Sequence, residues 1–174
     1  MRGLTTIMAA FALAACSTTA GTEAKTMYSG FDDAAVVHID PHGNACTQFI
    51  CTGFGGQWQE SKPDIFLLRA AVFNETTAIL GVSFNIDGET VELERAGGFT
   101  DFERVLDSVE GSEKDFVAPV TLIDRILTAD RVWMRVTTSD GNIEDAVVDG
   151  DKDSKAYNAL KRFSAEIEKV GAAE

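Results

Sequence analysis

Much of the chain alternates apolar and polar residues with the two-residue period of a half-buried strand. Residues 65–73 are instead nearly all apolar, which predicts a central strand covered on both faces. Strand-like patterns also occupy residues 34–39, 77–86, 89–95, 132–136 and 143–148, and we expect one further short strand at residues 116–118. The sequence therefore predicts a domain built mostly of β-sheet.

Turn residues separate these segments. Asp87-Gly88 predicts a two-residue hairpin, because both positions tolerate positive φ, and residues 139–142 predict a second hairpin. Pro41 is expected to end the first strand, since proline cannot donate to a ladder. The glycines of residues 53–56 resemble a phosphate loop without its Lys-Ser/Thr, so we expect them to turn the backbone, with Phe54 and Trp58 packing as local core.

Two segments have helical spacing. The first is expected to begin with Pro119 at its first position and to end near Asp130. The second is expected to begin at a cap provided by Asp151 or Asp153. Its apolar stripe consists of Ala156, Leu160, Phe163, Ile167 and Val170. Such a stripe is typical of a helix that packs on a sheet.

The order of these elements predicts an α+β fold. We expect a mainly antiparallel β-sheet with a short internal helix and a C-terminal helix packed on one face. A β-sandwich with a helical tail is the alternative. Residues 31–174 are predicted to form a single globular domain, because the chain of 174 residues is long enough for one core and not for two.

The first fifteen residues have the three parts of an export signal. Arg2 precedes an apolar run over residues 4–13, which is far shorter than the roughly 20 residues that a transmembrane helix needs. The run ends in Leu13-Ala14-Ala15-Cys16, which resembles the lipobox of bacterial lipoproteins. The resemblance implies cleavage before Cys16 and acylation of its thiol, whereas an ordinary cleaved signal with an unrelated cysteine is the alternative.

The resemblance also implies a location. Ser17 rather than Asp after the cysteine implies sorting to the outer membrane, with the domain facing the periplasm. Residues 16–30 are small and polar, so we expect them to form a flexible, lipidated tether. More than one acyl chain, each methylene contributing about 0.8 kcal/mol, anchors a protein stably to a membrane.

The charge balance excludes some partners. The chain has 15 basic and 28 acidic residues and a formal net charge of −13. Nucleic acids and anionic lipid surfaces both need clustered Lys or Arg side chains, so neither is an expected partner. The membrane is expected to be contacted through the lipid anchor alone, and an envelope protein is a possible partner.

The remaining cysteines, Cys46 and Cys51, are expected to form a disulfide bond in an oxidising periplasm. The weak metal candidate is His38, Asp40 and His42, which would share one face of a regular strand. Pro41 interrupts that strand, and we therefore predict no metal and no cofactor.

A binding face is predicted on the strand at residues 131–136. Alternation places Val132, Met134 and Val136 toward the core and Arg131, Trp133 and Arg135 on the opposite face. Guanidinium groups beside an indole can receive anionic partners, although pairing with Glu144 across the hairpin would also satisfy them.

Residues 149–153 resemble the acids of a calcium loop, but Leu160 stands where the bidentate glutamate belongs, so a solvated turn is expected.

The sequence contains no set of catalytic residues with the required spacing. It predicts a non-enzymatic binding domain of the cell envelope; a small-ligand or metal-binding module and an envelope-polymer hydrolase acting through carboxylates are the alternatives.

Overall fold

The structure is a computed structural model that describes residues 23–102, 104–106 and 109–172. The described residues form these elements: β1 (Lys25–Ser29), β2 (Ala34–Gly43), β3 (Cys51–Gln59), β4 (Ile65–Phe73), β5 (Ile79–Ile86), β6 (Glu89–Glu92), β7 (Glu94–Arg95), β8 (Arg104–Leu106), β9 (Val109–Pro119), α1 (Thr121–Thr128), β10 (Arg131–Thr138), β11 (Gly141–Asp149), β12 (Lys152–Asp153) and α2 (Lys155–Gly171). The predicted α+β class is confirmed.

The strands divide into two antiparallel sheets. The first has the order β1-β2-β3-β4-β9-β7, with β8 also paired to β9, and the second has the order β12-β11-β10-β5-β6. Phe54 of β3 meets Phe84 of β5 edge to face, with ring centroids 5.7 Å apart, so the second sheet packs on one face of the first. The preferred expectation was one main sheet; two packed sheets were expected only in its alternative, the β-sandwich with a helical tail.

The C-terminal helix covers the rest of the same face. Phe163 of α2 is fully buried, and its ring lies 5.8 Å from that of Phe66 in β4. The side chain of Thr26 donates to Glu166 at 2.8 Å, which ties the edge strand β1 to the helix. Both helices and the second sheet therefore enclose one core, as the predicted packing on one face requires.

The expectation of a turn at residues 53–56 is wrong, because these residues lie within the strand β3. A Cβ at Gly53 or Gly55 would overlap the backbone of β2, and a Cβ at Gly56 would approach Phe163 Cε1 to 3.2 Å. The glycines therefore allow a strand to lie beneath its neighbours instead of turning the chain. Phe54 and Trp58 are buried, as expected.

Pro41 does not end β2, contrary to the expectation. Ile39 pairs with Gly56 and His42 pairs with Phe54, so Asp40 and Pro41 together oppose Gly55 in a β-bulge. A residue inside a bulge donates no ladder hydrogen bond. The missing N–H of Pro41 is therefore tolerated there.

The N-terminal boundary of the domain also differs from the expectation. Lys25–Ser29, assigned to the tether, form β1 and pair with β2. The side chains of this strand are mostly exposed, which explains why its pattern resembled a linker. Residues 1–22, which include the predicted signal peptide and Cys16, lie outside the described residues.

Both helices begin later than expected. Pro119 is the last residue of β9 and pairs with Ile65, and α1 begins at Thr121. The cap of α2 is Ser154 rather than Asp151 or Asp153, and its Oγ accepts a hydrogen bond from the N–H of Tyr157 at 3.0 Å. Serine is a good cap because its short side chain reaches the free N–H groups of the first turn.

Candidate functional site

The candidate site is a cleft of ≈ 310 Å³ where the β10–β11 hairpin, the loop after β4 and the disulfide loop meet. Most of the residues that line it are polar, and the lining comprises Gln48, Ile50, Glu75, Thr77, Thr138, Asp140, Gly141, Asn142, Ile143, Glu144 and Asp145. A cleft of this volume is in the range that small ligands occupy.

Asp145 is the most deeply buried carboxylate of the cleft, with 4% of its surface exposed. Its Oδ2 accepts hydrogen bonds from the backbone N–H of Thr52 at 2.7 Å and from the Thr52 hydroxyl at 2.9 Å. Asn44 donates to the same hydroxyl at 2.9 Å, which orients it toward Asp145. In the described part of the chain no donor contacts Asp145 Oδ1, which leaves this oxygen for a ligand.

Asp140 lies at the hairpin turn, on the rim of the cleft. Its Oδ2 accepts hydrogen bonds from the Thr77 hydroxyl at 2.6 Å and from the Ser139 hydroxyl at 3.1 Å. These bonds, that from Thr77 above all, hold the pKa of the Asp140 carboxyl below its ordinary value because they stabilise the anion. The carboxylate is thus fixed in place in its charged form.

The disulfide loop forms one wall of the cleft. Cys46 and Cys51 are bonded to each other, which confirms the predicted disulfide. Between them, Gln48 and Ile50 line the cleft, and Phe49 projects into solvent with 79% of its surface exposed. The side chain of Asn74 donates to the carbonyl of Phe49 at 2.7 Å and holds the loop against the end of β4.

The electrostatic character of the cleft is strongly negative. Glu75, Asp140, Glu144 and Asp145 line it, and none of its described lining residues is basic. Glu144 is already paired with Arg135, whose Nε lies 2.6 Å from Oε1. Three carboxylates of the lining therefore have no cationic partner among the described residues. The arrangement attracts positively charged groups and repels anions.

The predicted binding face on β10 has the expected alternation. Val132, Met134 and Val136 are fully buried, and Arg131 and Arg135 are exposed on the other side of the sheet. The Arg131 guanidinium lies 5.5 Å from the centre of the Trp133 ring.

Each of these arginines also has a carboxylate neighbour in β11. Arg131 Nε lies 3.5 Å from Asp149 Oδ1, and Arg135 pairs with Glu144. The charges of this face are thus compensated within the sheet. The Nε1 of Trp133 is buried and has no hydrogen-bond partner in the structure.

The side chains of the weak metal candidate, His38, Asp40 and His42, do not converge on one point. His38 Nε2 contacts Asp40 Oδ1 at 2.9 Å, while His42 Nδ1 contacts the backbone oxygen of Asp40 at 2.6 Å. The bulge at Pro41 separates the two imidazoles in register, and Cys46 and Cys51 are used in the disulfide. Within residues 23–102, 104–106 and 109–172, no three His, Cys, Asp or Glu side chains are grouped to hold a metal ion.

The acids of the cleft were not found by sequence reasoning. A signal did exist at Asp145, because it lies between Ile143 and Val147 in the apolar register of its strand. An acid at such a position is buried and needs a partner. Glu75, Asp140 and Glu144 have no comparable signal, since acids are common in turns and on exposed faces.

Comparison with protein-family models, with curated proteins and with solved structures gave no match. Among the described residues, neither helix is long and apolar enough to cross a membrane.

Proposed function

We propose that this chain is a lipid-anchored, non-enzymatic binding domain of the bacterial cell envelope. Acylation at Cys16, in the segment that resembles a lipobox, would hold the domain at the membrane, most simply the outer membrane on its periplasmic side. The disulfide between Cys46 and Cys51 supports this location, because such bonds persist in oxidising compartments and are rare in the cytosol.

The cleft is the proposed binding site. The observation that carries this proposal is Asp145, a buried carboxylate whose Oδ2 is held by Thr52 while Oδ1 receives no donor from the described residues. A ligand that donates to this oxygen would form a charge-assisted hydrogen bond, which is stronger than a bond between neutral groups. The preorganised Asp140 anion provides a second contact point.

Binding is better supported than hydrolysis through paired carboxylates. Asp140 and Asp145 are separated by five residues, mostly in extended strand, which places their Cα atoms on the order of 15 Å apart. Glycosidases of both stereochemical classes place their two carboxyl groups within about 10 Å of each other. A backbone separation of this size disfavours such a reaction by this pair.

The lipid anchor is tested by metabolic labelling with palmitate in the bacterium that naturally produces the protein. We expect the wild-type chain to incorporate the label and to fractionate with membranes, and Cys16→Ala to do neither. Cys46→Ser/Cys51→Ser is the matched control, because it removes thiols without touching the lipobox. An unlabelled wild-type chain would refute the anchoring.

The cleft is tested by a photo-crosslinking residue placed at Asn142 in the living host. Asp151, an exposed position in the turn after β11, is the control site. We expect an adduct from Asn142 that is absent from Asp151 and is lost when Asp140→Asn is added. Equal adducts at both positions, or none at Asn142, would exclude the cleft as the binding site.

A further inference from the structure

Phe49 is exposed on a closed loop that contains no charge. Its side chain lies between the bonded cysteines Cys46 and Cys51, and 79% of its surface is exposed. The loop backbone is held in place, because the Asn74 side chain donates to the Phe49 carbonyl at 2.7 Å. Charged residues make up 25% of the chain, yet residues 41–59 contain no Asp, Glu, Lys or Arg. The disulfide loop therefore presents an uncharged aromatic side chain to its surroundings.

The other exposed phenylalanines among the described residues lie in different settings. Phe31 is followed by Asp32 and Asp33, and Phe102 lies between two acids in the sequence. Phe99 belongs to the segment between β7 and β8, which runs alongside β9 rather than across an end of the sheet. A phenylalanine that enters a lipid surface must bring no charge with it, because removing a charge from water is costly. Of these four side chains, Phe49 meets this condition at an end of the first sheet.

The N-terminal part of the chain approaches the domain from the side of Phe49. Because β1 is antiparallel to β2, the backbone enters β1 from the end of the sheet where β2 finishes and the disulfide loop begins. Lys25 pairs with His38, five residues before β2 ends at Gly43, which is roughly 17 Å along the strand. Nine residues of chain from Cys16 to Lys25 span at most roughly 30 Å. This length is sufficient to bring an acylated Cys16 to the level of the loop.

One aromatic contact is sufficient when a second attachment is already present. A single exposed apolar side chain binds a membrane only weakly, since the strength of such binding scales with the buried apolar area. Acyl chains on Cys16 would make the contact intramolecular, with an effective concentration on the order of millimolar. Glu75 and Asp140 line the cleft together with residues of the loop and repel anionic headgroups. A zwitterionic lipid surface is therefore the partner that the loop fits.

We propose that Phe49 inserts into the headgroup region of the zwitterionic bilayer to which Cys16 is anchored, so that the domain docks with its disulfide loop toward the membrane. This inference rests on the proposed function, in that it takes Cys16 to be acylated. It adds a protein contact to the lipid anchor, through which alone the sequence analysis expected the membrane to be reached. Docking in this orientation also brings the cleft to the membrane side of the domain, because Gln48 and Ile50 belong to both the loop and the cleft lining.

The test places a tryptophan at Phe49 and, as the matched control, at Phe31. Both are exposed phenylalanines, and Phe31 lies in the turn between β1 and β2 at the opposite end of the first sheet. Each acylated full chain is reconstituted in phosphatidylcholine vesicles whose acyl chains carry bromine, which quenches indole emission on contact. We expect bromination to reduce the emission that Phe49→Trp adds to that of wild type at least twofold. The emission added by Phe31→Trp is expected to fall by less than a tenth.

The outcomes separate the docking from the anchor. Equal quenching at both positions, or no quenching at Phe49, in a chain that floats with the vesicles would overturn the docking and leave the lipid anchor intact. A protein partner that covers Phe49 in place of lipid would give the second of these results. If the wild-type chain incorporates no palmitate in its own bacterium, the anchor is absent, and the proposed function falls together with this inference.

Discussion

Arg69 donates two hydrogen bonds to the carboxylate of Asp115, from Nε to Oδ1 at 2.8 Å and from Nη2 to Oδ2 at 3.0 Å. The two residues are register partners on β4 and β9, on the face of the first sheet opposite the core. Because the guanidinium is committed to Asp115, the neighbouring Glu113 has only a 3.8 Å contact with it. Burial raises the pKa of Glu113 to about 7, against the attraction of Arg69 and with the added repulsion of Asp101, Asp115 and Asp40.

The first prediction concerns the pH dependence that this glutamate imposes. The folded protein keeps the Glu113 proton up to about pH 7, whereas the unfolded chain releases it near the ordinary value of 4.5. Unfolding therefore releases a proton between these values, and stability falls as pH rises through this window. Glu113→Gln is expected to be about 3 kcal/mol more stable relative to wild type at pH 8 than at pH 4.

Urea denaturation at several pH values between 4 and 8 measures this difference, and the other titrating groups cancel between the two proteins. Glu94→Gln, on the exposed neighbouring strand β7, controls for loss of one negative charge. If the difference in unfolding free energy between Glu113→Gln and wild type stays constant across the pH range, the predicted titration is wrong.

The sequence predicted those elements whose pattern follows from local rules. The strand at residues 65–73 and both hairpins occur where expected, because a long apolar run and the Asp-Gly turns depend on few long-range contacts. The alternation of Val132, Met134 and Val136 correctly gave the buried face of β10. The disulfide followed from counting cysteines.

Other features depend on partners that are distant in the chain. The glycines of β3 indicate a turn when read alone, and only the close approach of the β2 backbone to Gly53 and Gly55 explains why these two positions lack a side chain. The cleft is similar, because Gln48, Glu75 and Asp145 come from three separate segments. The pairing between strands decides which acidic side chains come together, and a single sequence does not show that pairing directly.

The second prediction concerns Gly55, which lies under the bulge of β2. A Cβ at this position would lie 2.7 Å from both the Asp40 carbonyl carbon and the Pro41 nitrogen, and these backbone atoms cannot rotate away as a side chain can. Gly55→Ala is expected to destabilise the fold by about 2–3 kcal/mol, in the range of overpacking substitutions. Gly30→Ala is the control, because nothing lies within 4 Å of its Cβ. Equal urea midpoints for the two variants would show that β2 does not lie over Gly55.

The third prediction concerns the Arg131 and Arg135 face. Both side chains are more than half exposed, and exposed ion pairs contribute about 0–1 kcal/mol each. Arg131→Ala/Arg135→Ala is therefore expected to unfold within about 1 kcal/mol of wild type. If the sequence-based hypothesis of a partner at this face is correct, the same variant loses in-cell cross-linking to that partner. Arg125→Ala, which breaks a surface pair with Glu89, should retain it; unchanged recovery in the double variant would remove this face from consideration.

The last prediction links the disulfide to the cleft. The bond between Cys46 and Cys51 closes a very short loop, for which the chain-entropy treatment gives about 2 kcal/mol of stabilisation. The free energy of unfolding of Cys46→Ser/Cys51→Ser is expected to be lower than that of wild type by about this amount. Dithiothreitol is expected to lower the stability of wild type by the same amount and to leave that of the variant unchanged. Because Gln48 and Ile50 line the cleft from within this closed loop, the variant is also expected to bind a cleft ligand more weakly even where it is fully folded. If the folded variant binds as well as wild type, the loop holds its position through Asn74 and the strand ends alone, and the disulfide serves stability only.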